Sequence, residues 1–228
     1  MSASSPPPSS PFRWRLSLSI ACWGAAFCLF WWSMTAYSFQ VEPPAKTLVS
    51  WPSDSTLPRA DARPTALFFV HPRCPCTLAS ISELEESLET LPAASRPLVL
   101  AVATVPAEFD REWVETEQIE RLSRWPGSPL WIDPGGYEAE KFGAVTSGHV
   151  QVFAPSGKLV FSGGVTGSRG HQGDNGGKDA LLAALRENAI SPRRSPTFGC
   201  RLCLPESDSP AVAAPVWNWR DRTLLPSS

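Results

Sequence analysis

The segment Ala66-Leu-Phe-Phe-Val-His-Pro-Arg-Cys-Pro-Cys-Thr77 joins a short apolar run to two cysteines, and a helical pattern follows at once. The apolar run, which ends at Val70, is typical of a buried strand. Only Pro75 separates Cys74 from Cys76. The N–H groups and the dipole at the start of a helix favour the thiolate, which is the reactive form of cysteine. The segment therefore predicts a thiol–disulfide site with Cys74 and Cys76 as its redox-active pair.

The residues that follow this segment alternate between helical and strand patterns. Apolar residues from Leu78 to Leu91 recur at spacings of three and four, which predicts an amphipathic helix that ends at Pro92. The order β-α-β-α-β-α-β-β-α predicts an α/β fold with a mixed sheet flanked by helices, in a domain spanning residues 64–190. The later elements are predicted at Pro97–Thr104 (strand), Phe109–Trp125 (loosely helical), Pro129–Asp133 (strand), Tyr137–Phe142 (helix), His149–Ala154 and Lys158–Ser162 (hairpin), and Leu181–Ile190 (helix).

The N-terminal region predicts one transmembrane helix. Residues 1–15 form a Ser/Pro-rich stretch that we expect to be a disordered cytoplasmic tail. Leu16–Phe39 carries no charge and exceeds the span of about 20 residues that a bilayer requires. Arg13 and Arg15 precede it, which favours a cytoplasmic N-terminus. A cleaved signal peptide is the alternative, but Ser33-Met-Thr35 is a poor cleavage site.

Two further segments lack the periodicity of a core. Residues 40–63 are rich in Pro, Ser and Thr and predict a linker with one short strand around Thr47–Trp51. Residues 191–228 predict a C-terminal tail that carries Cys200 and Cys203. The remaining cysteines, Cys22 and Cys28, lie inside the predicted span, where we expect small hydrophobic residues. The net charge of −2 gives no indication of a nucleic-acid partner.

Three segments resemble the thioredoxin-like superfamily, on its redoxin or TlpA-like branch. They are Phe68–Cys76, Trp131–Ala144 and Val150–Phe161. Together with Gly170-His-Gln-Gly-Asp-Asn175, the cysteine segment resembles small bacterial membrane-anchored proteins described as RedB-like. The resemblance implies a thioredoxin-like fold and a membrane-anchored domain on the periplasmic side of a bacterial inner membrane.

The chain departs from the thioredoxin pattern at three positions. One residue instead of two separates its cysteines. Gly148 stands where the family has a cis-proline, and Phe68 stands where many thioredoxins place a buried acid. These departures predict a site whose chemistry depends on groups brought from elsewhere in the chain.

The site residues have more than one interpretation. By analogy with the family, Cys74 is the attacking thiol and Cys76 the resolving one, with His149 and His171 as further catalytic candidates. In a second interpretation these two cysteines do not pair with each other, and one of them bonds to the C-terminal pair instead. Cys200 and Cys203 form a second redox pair, supply metal ligands, or make a structural disulfide. Thiolates with imidazoles also suit copper or zinc. The candidate metal ligands are Cys74, Cys76, His71, His149, Cys200 and Cys203.

The function predicted from all of this is thiol–disulfide exchange on protein substrates by a single-pass, membrane-anchored, periplasmic oxidoreductase. This reaction requires no cofactor. The glycine-rich loop Gly163–Gly177, with Arg169, His171 and Asp174, is predicted to be a lid or partner-contact loop beside the dithiol. The alternatives are a copper- or zinc-binding chaperone or sensor of the same fold, and a non-catalytic interaction domain.

Overall fold

The computed structural model describes residues 11–125, 127–186, 191–205, 216–218 and 223–225. The chain divides into two compact units, Met1–Gln40 and Val41–Ser228. The first unit is helix α1, Pro11–Ser38, so the helix begins earlier than the predicted span and includes part of the predicted tail. Residues 1–10 of that tail lie outside the described part of the chain.

Helix α1 is apolar on all sides. Trp23 and Trp32 are 77% and 75% exposed, and the stretch Trp14–Ser38 is long and apolar enough to cross a membrane. A helix that is apolar all round belongs either in a protein core or in a bilayer. The predicted N-terminal membrane-spanning helix is thereby confirmed in length and composition, the two properties that a signal sequence shares.

The second unit is built on a mixed sheet. Six strands lie in the order β3-β2-β1-β4-β5-β6, with β1–β2, β2–β3 and β5–β6 parallel and β1–β4 and β4–β5 antiparallel. The strands are β1 (Thr65–Val70), β2 (Leu98–Val105), β3 (Leu130–Pro134), β4 (His149–Phe153), β5 (Leu159–Gly163) and β6 (Arg193–Arg194). The helices are α2 (Thr77–Glu89), α3 (Glu117–Arg124), α4 (Tyr137–Lys141) and α5 (Gly176–Arg186), with short 3-10 turns at Ala93–Ser95 and Arg111–Trp113. A separate antiparallel pair consists of β7 (Val216–Asn218) and β8 (Thr223–Leu225).

Alternation along β1 divides the core between the two faces of the sheet. Phe68 joins the cluster covered by α2, α3 and α5, whereas Phe69 joins the cluster covered by α4. Both side chains are fully buried, and each burial contributes about 2 kcal/mol. The predicted mixed sheet with helices on both faces is confirmed. The last predicted helix is described only as far as Arg186, because residues 187–190 lie outside the described part.

Residues 41–63 differ from the loose linker that their composition predicts. The ring of Trp51 packs edge-on against Phe142, with centroids 5.0 Å apart. Ser55 and Thr56 donate hydrogen bonds to the carboxylate of Glu138, at 2.7 and 2.9 Å. The short predicted strand amounts to a single bridge between Ser50 and Lys158. This segment belongs to the domain because one buried carboxylate and one aromatic cluster hold it there.

Candidate functional site

Cys74 lies in the turn that joins β1 to α2. Its N–H donates to the carbonyl of His71 at 3.0 Å, and the N–H of Thr77 donates to the carbonyl of Cys74 at 3.1 Å. Cys76 already has helical backbone angles and precedes the first residue of α2. Cys74 is 1% exposed, whereas Cys76 is half-buried. The structure contains the predicted thiol pair at the N-terminus of a helix.

The thiol of Cys200 lies beside that of Cys74. The thiol of Cys200 and that of Cys76 both hydrogen-bond to the sulfur of Cys74. The backbone N–H of Cys200 also donates to this sulfur, as do the hydroxyl of Thr77 and the N–H of Cys76. All the cysteines of the chain are in the thiol form. Cys74 is therefore the centre of the cluster, with one candidate partner on each side.

Main-chain pairing holds Cys200 at this position. The N–H of Ser147 donates to the carbonyl of Cys200 at 2.8 Å, and the N–H of Leu202 donates to the carbonyl of Val145 at 2.9 Å. Thr146 and Arg201 form an antiparallel bridge between these two bonds. We call Thr197–Cys203 the tail segment. It is packed against the residues that precede β4, in contrast to the flexible tail that its sequence predicts.

Side chains of the tail segment also anchor it. Phe198 and Leu202 are 6% and 4% exposed. Gly199 lies directly against the main chain, since a Cβ atom there would stand 2.0 Å from the carbonyl oxygen of Ser147. Only glycine permits this close approach. The residues on either side of Cys200 thus hold the tail segment close enough for Cys200 to contact Cys74.

The three thiols have different pKa values because their environments differ. Burial alone would raise the pKa of Cys74, but hydrogen bonds from Cys200, Thr77 and the N–H of Cys76 outweigh burial, and the net pKa is lowered. Burial and the neighbouring Cys74 raise the pKa of Cys76. Burial and the hydrogen bond to Cys74 raise the pKa of Cys200 to about 12. Cys74 is the thiol that ionises first, as an attacking nucleophile must.

The glycine-rich loop lies beside the cluster. A Cβ atom on Gly170 would stand 3.9 Å from the sulfur of Cys76. The positive charge of Arg169 lowers the pKa of Cys76 and of Cys200, in opposition to the larger effects that raise them. The loop is tied to α2, because the N–H of Gly173 donates to Glu83 at 2.7 Å. The sequence predicts a loop beside the dithiol, but nothing in it distinguishes Arg169 as the residue whose charge acts on the thiols.

The three histidines contact different parts of the fold. His71 is the histidine nearest to Cys74 in sequence. Its ring stands edge-on to that of Trp113, with centroids 5.6 Å apart, and its Nδ1 accepts the N–H of Arg73. His171 is exposed in the loop. His149 is buried on the Phe69 face of the sheet, opposite α2, and its Nε2 lies 2.9 Å from the hydroxyl of Ser162. Catalytic roles for His149 and His171 stay predictions, because the contacts described for them are with groups other than the thiols.

His149 is held neutral by its surroundings. Burial lowers its pKa to about 4, and the positive charge of Arg194 acts in the same direction. Asp133, near the end of β3, has its pKa shifted in the opposite direction, because burial raises it to about 6. The Asp133 carboxylate accepts the N–H groups of Glu138 and Ala139 and so caps α4. Both groups lie on the face of the sheet opposite α2.

Cys203 is separated from the cluster although the sequence pairs it with Cys200. Burial alone raises its pKa, and its carbonyl packs against Gly136. The antiparallel pairing keeps residues 200–202 extended, and positions three apart on an extended chain lie about 10 Å from each other. A disulfide needs Cα atoms within about 7 Å. In this conformation Cys200 faces Cys74 and Cys203 does not.

The candidate metal ligands do not form one group. Within the described ranges, no set of three or more His, Cys, Asp or Glu side chains is arranged to hold a metal ion. Cys74 is in contact with Cys76 and with Cys200, and thiolates suit copper(I) or zinc. Binding of copper or zinc stays a prediction.

Gly148 explains why the chain lacks the proline that the resemblance implies. Its N–H donates to the carbonyl of Phe69 at 2.9 Å, a bond that proline cannot make. Its φ is +92°, and a Cβ atom would stand 2.8 Å from the hydroxyl oxygen of Ser80. Glycine is therefore required by backbone conformation and by space.

Comparisons with known proteins address the fold. No protein-family model and no curated protein matches the chain. A crystal structure of a hypothetical protein from Sinorhizobium meliloti 1021 matches with 20% identity, covering 72% of this chain and 98% of that one, with a TM-score of 0.56. An uncharacterized conserved protein from Geobacillus kaustophilus matches with 19% identity, 75% and 95% coverage, and a TM-score of 0.51.

A third match has a lower TM-score. The pneumococcal exposed lipoprotein thioredoxin of Streptococcus pneumoniae strain TIGR4 is 22% identical over 55% of this chain and 85% of its own, with a TM-score of 0.37. The sheet order, with β4 antiparallel to β1 and a cysteine pair between β1 and α2, is the arrangement that the sequence resemblance implies. The chain has the thioredoxin-like fold. The closer RedB-like resemblance of this thioredoxin-like domain stays a prediction.

Proposed function

We propose that this protein is a membrane-anchored thiol–disulfide oxidoreductase, with Cys74 as its attacking thiol. One observation carries the proposal: the buried sulfur of Cys74 accepts hydrogen bonds from Thr77, from Cys200 and from the N–H of Cys76 at the start of a helix. These donors stabilise a thiolate, which attacks disulfides. A second thiol within hydrogen-bonding distance then completes the exchange.

The substrates we propose are protein thiols and disulfides on the periplasmic side of a bacterial inner membrane. Arg13 and Arg15 precede the apolar stretch of α1, and positive residues favour the cytoplasmic side. The thioredoxin-like domain then lies outside the cytoplasm, where disulfides persist. A bond between Cys74 and Cys76 would span only Pro75 and would be strained, which suits an oxidant or isomerase better than a strong reductant.

A copper- or zinc-binding function is the second candidate. The observation in its favour is that the thiols of Cys76 and Cys200 both hydrogen-bond to the sulfur of Cys74. Soft thiolate ligands select copper(I) and zinc. This candidate makes a stoichiometric prediction: reduced protein binds one equivalent of the metal, and Cys74→Ala abolishes binding.

The deciding experiment uses detergent-solubilised full-length protein. Reduction of insulin and reactivation of a scrambled disulfide protein are measured for wild type, Cys74→Ala and Cys28→Ala. We expect Cys74→Ala to fall to the uncatalysed background, whereas Cys28→Ala, whose cysteine lies in α1, retains activity. Wild type at background in both assays would refute the oxidoreductase. Copper(I) and zinc titrations of the same three samples then test the second candidate.

A further inference from the structure

Cys74 has two neighbouring thiols that differ in how they are held. Cys76 is next to it in sequence, separated by Pro75, with helical angles of φ −67° and ψ −19° at the start of α2. Cys200 comes from the distant tail segment, where its carbonyl accepts the N–H of Ser147 and the N–H of Leu202 donates to the carbonyl of Val145. Either thiol could therefore bond to the sulfur of Cys74, Cys76 from the start of α2 and Cys200 from the tail segment.

We propose that Cys200 is the resolving cysteine of Cys74, so that the disulfide made during the reaction joins α2 to the tail segment. This inference rests on the proposed function and deepens it. It replaces the assignment of Cys76, which analogy with the family implies. Cys200 is then a catalytic residue that lies far from the Cys-Pro-Cys segment in sequence.

Disulfide geometry favours Cys200 over Cys76. A disulfide requires a dihedral angle near 90° about the S–S bond and Cβ atoms about 4 Å apart. A ring closed across Pro75 has little freedom to reach this geometry, because proline fixes its own φ and restricts the residue before it. A disulfide between Cys74 and Cys200 closes no such small ring. The N–H of Cys200 already donates to the sulfur of Cys74, which places the two residues side by side.

The glycines of the site support the same assignment. Gly199 allows the tail segment to approach the turn before β4 closely, since its absent Cβ atom would overlap the carbonyl of Ser147. Gly148 lies in that turn, where its absent Cβ atom would be in ordinary contact with the carbonyl of Phe198, 3.8 Å away. A larger residue at position 199 would push the tail segment outward. The approach is thus built into the backbone rather than made by a single side-chain contact.

The proposed reaction balances as an exchange of one disulfide for another. The Cys74 thiolate attacks a sulfur of the substrate disulfide, forms a mixed disulfide, and releases the first substrate thiolate. Cys200 loses its proton to solvent, beside the positive charge of Arg169, and its thiolate attacks the sulfur of Cys74. The Cys74–Cys200 bond forms, and the second substrate thiolate leaves. The substrate gains two electrons, which the two cysteines lose, and every step reverses when the protein acts as an oxidant.

Disulfide mapping of the full-length protein tests this pairing. Reduced protein is oxidised with oxidised glutathione, quenched with acid, alkylated, digested with trypsin and analysed by mass spectrometry. We expect a Cys74–Cys200 peptide in wild type and in Cys76→Ala, and its absence in Cys200→Ala. Cys203→Ala is the matched control and retains the bond. A wild-type map that contains only Cys74–Cys76, or only Cys200–Cys203, would overturn the inference without any variant.

A second measurement separates this inference from the proposed function. Insulin reduction is compared between wild type and Cys200→Ala, and we expect the variant to lose turnover. If Cys200→Ala is as active as wild type and the map gives Cys74–Cys76, the oxidoreductase stands and the assignment of Cys200 fails. If wild type is inactive but maps as Cys74–Cys200, the pairing stands and the proposed function fails.

Discussion

The sulfur of Cys74 accepts hydrogen bonds from both the thiol and the backbone N–H of Cys200. The two residues are brought together only by the fold, because strands β2 to β6 lie between them in sequence. The C-terminal segment is therefore part of the candidate site. Its removal would take away a thiol and two of the donors that stabilise the thiolate of Cys74.

Cys200→Ala should raise the pKa of Cys74. The S–H of Cys200 donates to the sulfur of Cys74 and favours its ionised form, so losing this donor leaves burial less opposed. The midpoint of the pH dependence of Cys74 alkylation by iodoacetamide, followed by mass spectrometry, measures the change. Cys203→Ala is the control and should leave the midpoint in place. An identical midpoint in wild type and Cys200→Ala would contradict the hydrogen bond.

Gly148→Ala should destabilise the domain by about 1–3 kcal/mol. The φ of +92° is unfavourable for alanine, and its Cβ atom would stand 2.8 Å from the hydroxyl oxygen of Ser80. Denaturant unfolding followed by circular dichroism gives the free energy. Gly176→Ala is the control, since its Cβ atom would meet nothing within 4 Å. Equal stability of Gly148→Ala and wild type would show that the turn before β4 adapts freely.

The main elements of this site were predictable from sequence, because they carry side-chain patterns. The apolar run that ends at Val70 and the periodic residues after Cys76 predict β1 and α2, and the structure contains both. The position of Cys74 at their junction follows from that order. Such patterns are local, and hydrophobic burial enforces them within one strand or one helix.

The role of the tail segment was not predictable in the same way. Its pairing with residues 145–147 uses main-chain groups, which every sequence has, and Gly199 marks it only by lacking a side chain. The attachment of residues 41–63 is similar, since it depends on Glu138 meeting Ser55 and Thr56 across the fold. Long-range polar contacts of this kind leave no periodic signal in the chain.

The His149→Gln variant should gain stability relative to wild type as the pH falls from 6.5 to 4. His149 has a pKa of about 4 in the folded protein, against 6.5 for an ordinary histidine. In this pH window the unfolded chain takes up a proton that the folded protein does not, so wild type loses up to about 3 kcal/mol. Urea unfolding at pH 7, 6, 5 and 4 measures the difference. A constant difference across that series would contradict a buried neutral imidazole.

The Asp133→Asn variant should show the opposite pH dependence. Burial raises the pKa of Asp133 to about 6 from 3.8, so the folded protein takes up a proton before the unfolded chain does. Wild type therefore gains stability as the pH falls through that window, and the variant loses this gain, up to about 3 kcal/mol. The effects of His149 and Asp133 oppose each other in wild type, and only the single variants reveal them. The same urea series detects a failure, namely an Asp133→Asn curve parallel to wild type.

Gly199→Ala should detach Cys200 from Cys74 while the rest of the domain stays folded. The new Cβ atom would stand 2.0 Å from the carbonyl oxygen of Ser147, a main-chain atom that cannot turn aside, so the tail segment must move outward. Of the tail segment, Leu202 belongs to a core cluster, whereas the rest of both clusters comes from other parts of the domain, so the sheet should keep its cooperative unfolding. The pKa of Cys74 should rise, as in Cys200→Ala, although both thiols are still present. Iodoacetamide alkylation and disulfide mapping of Gly199→Ala and the Gly176→Ala control check this result. If Gly199→Ala alkylates and maps like the control, close packing of the tail segment is not what brings Cys200 to Cys74.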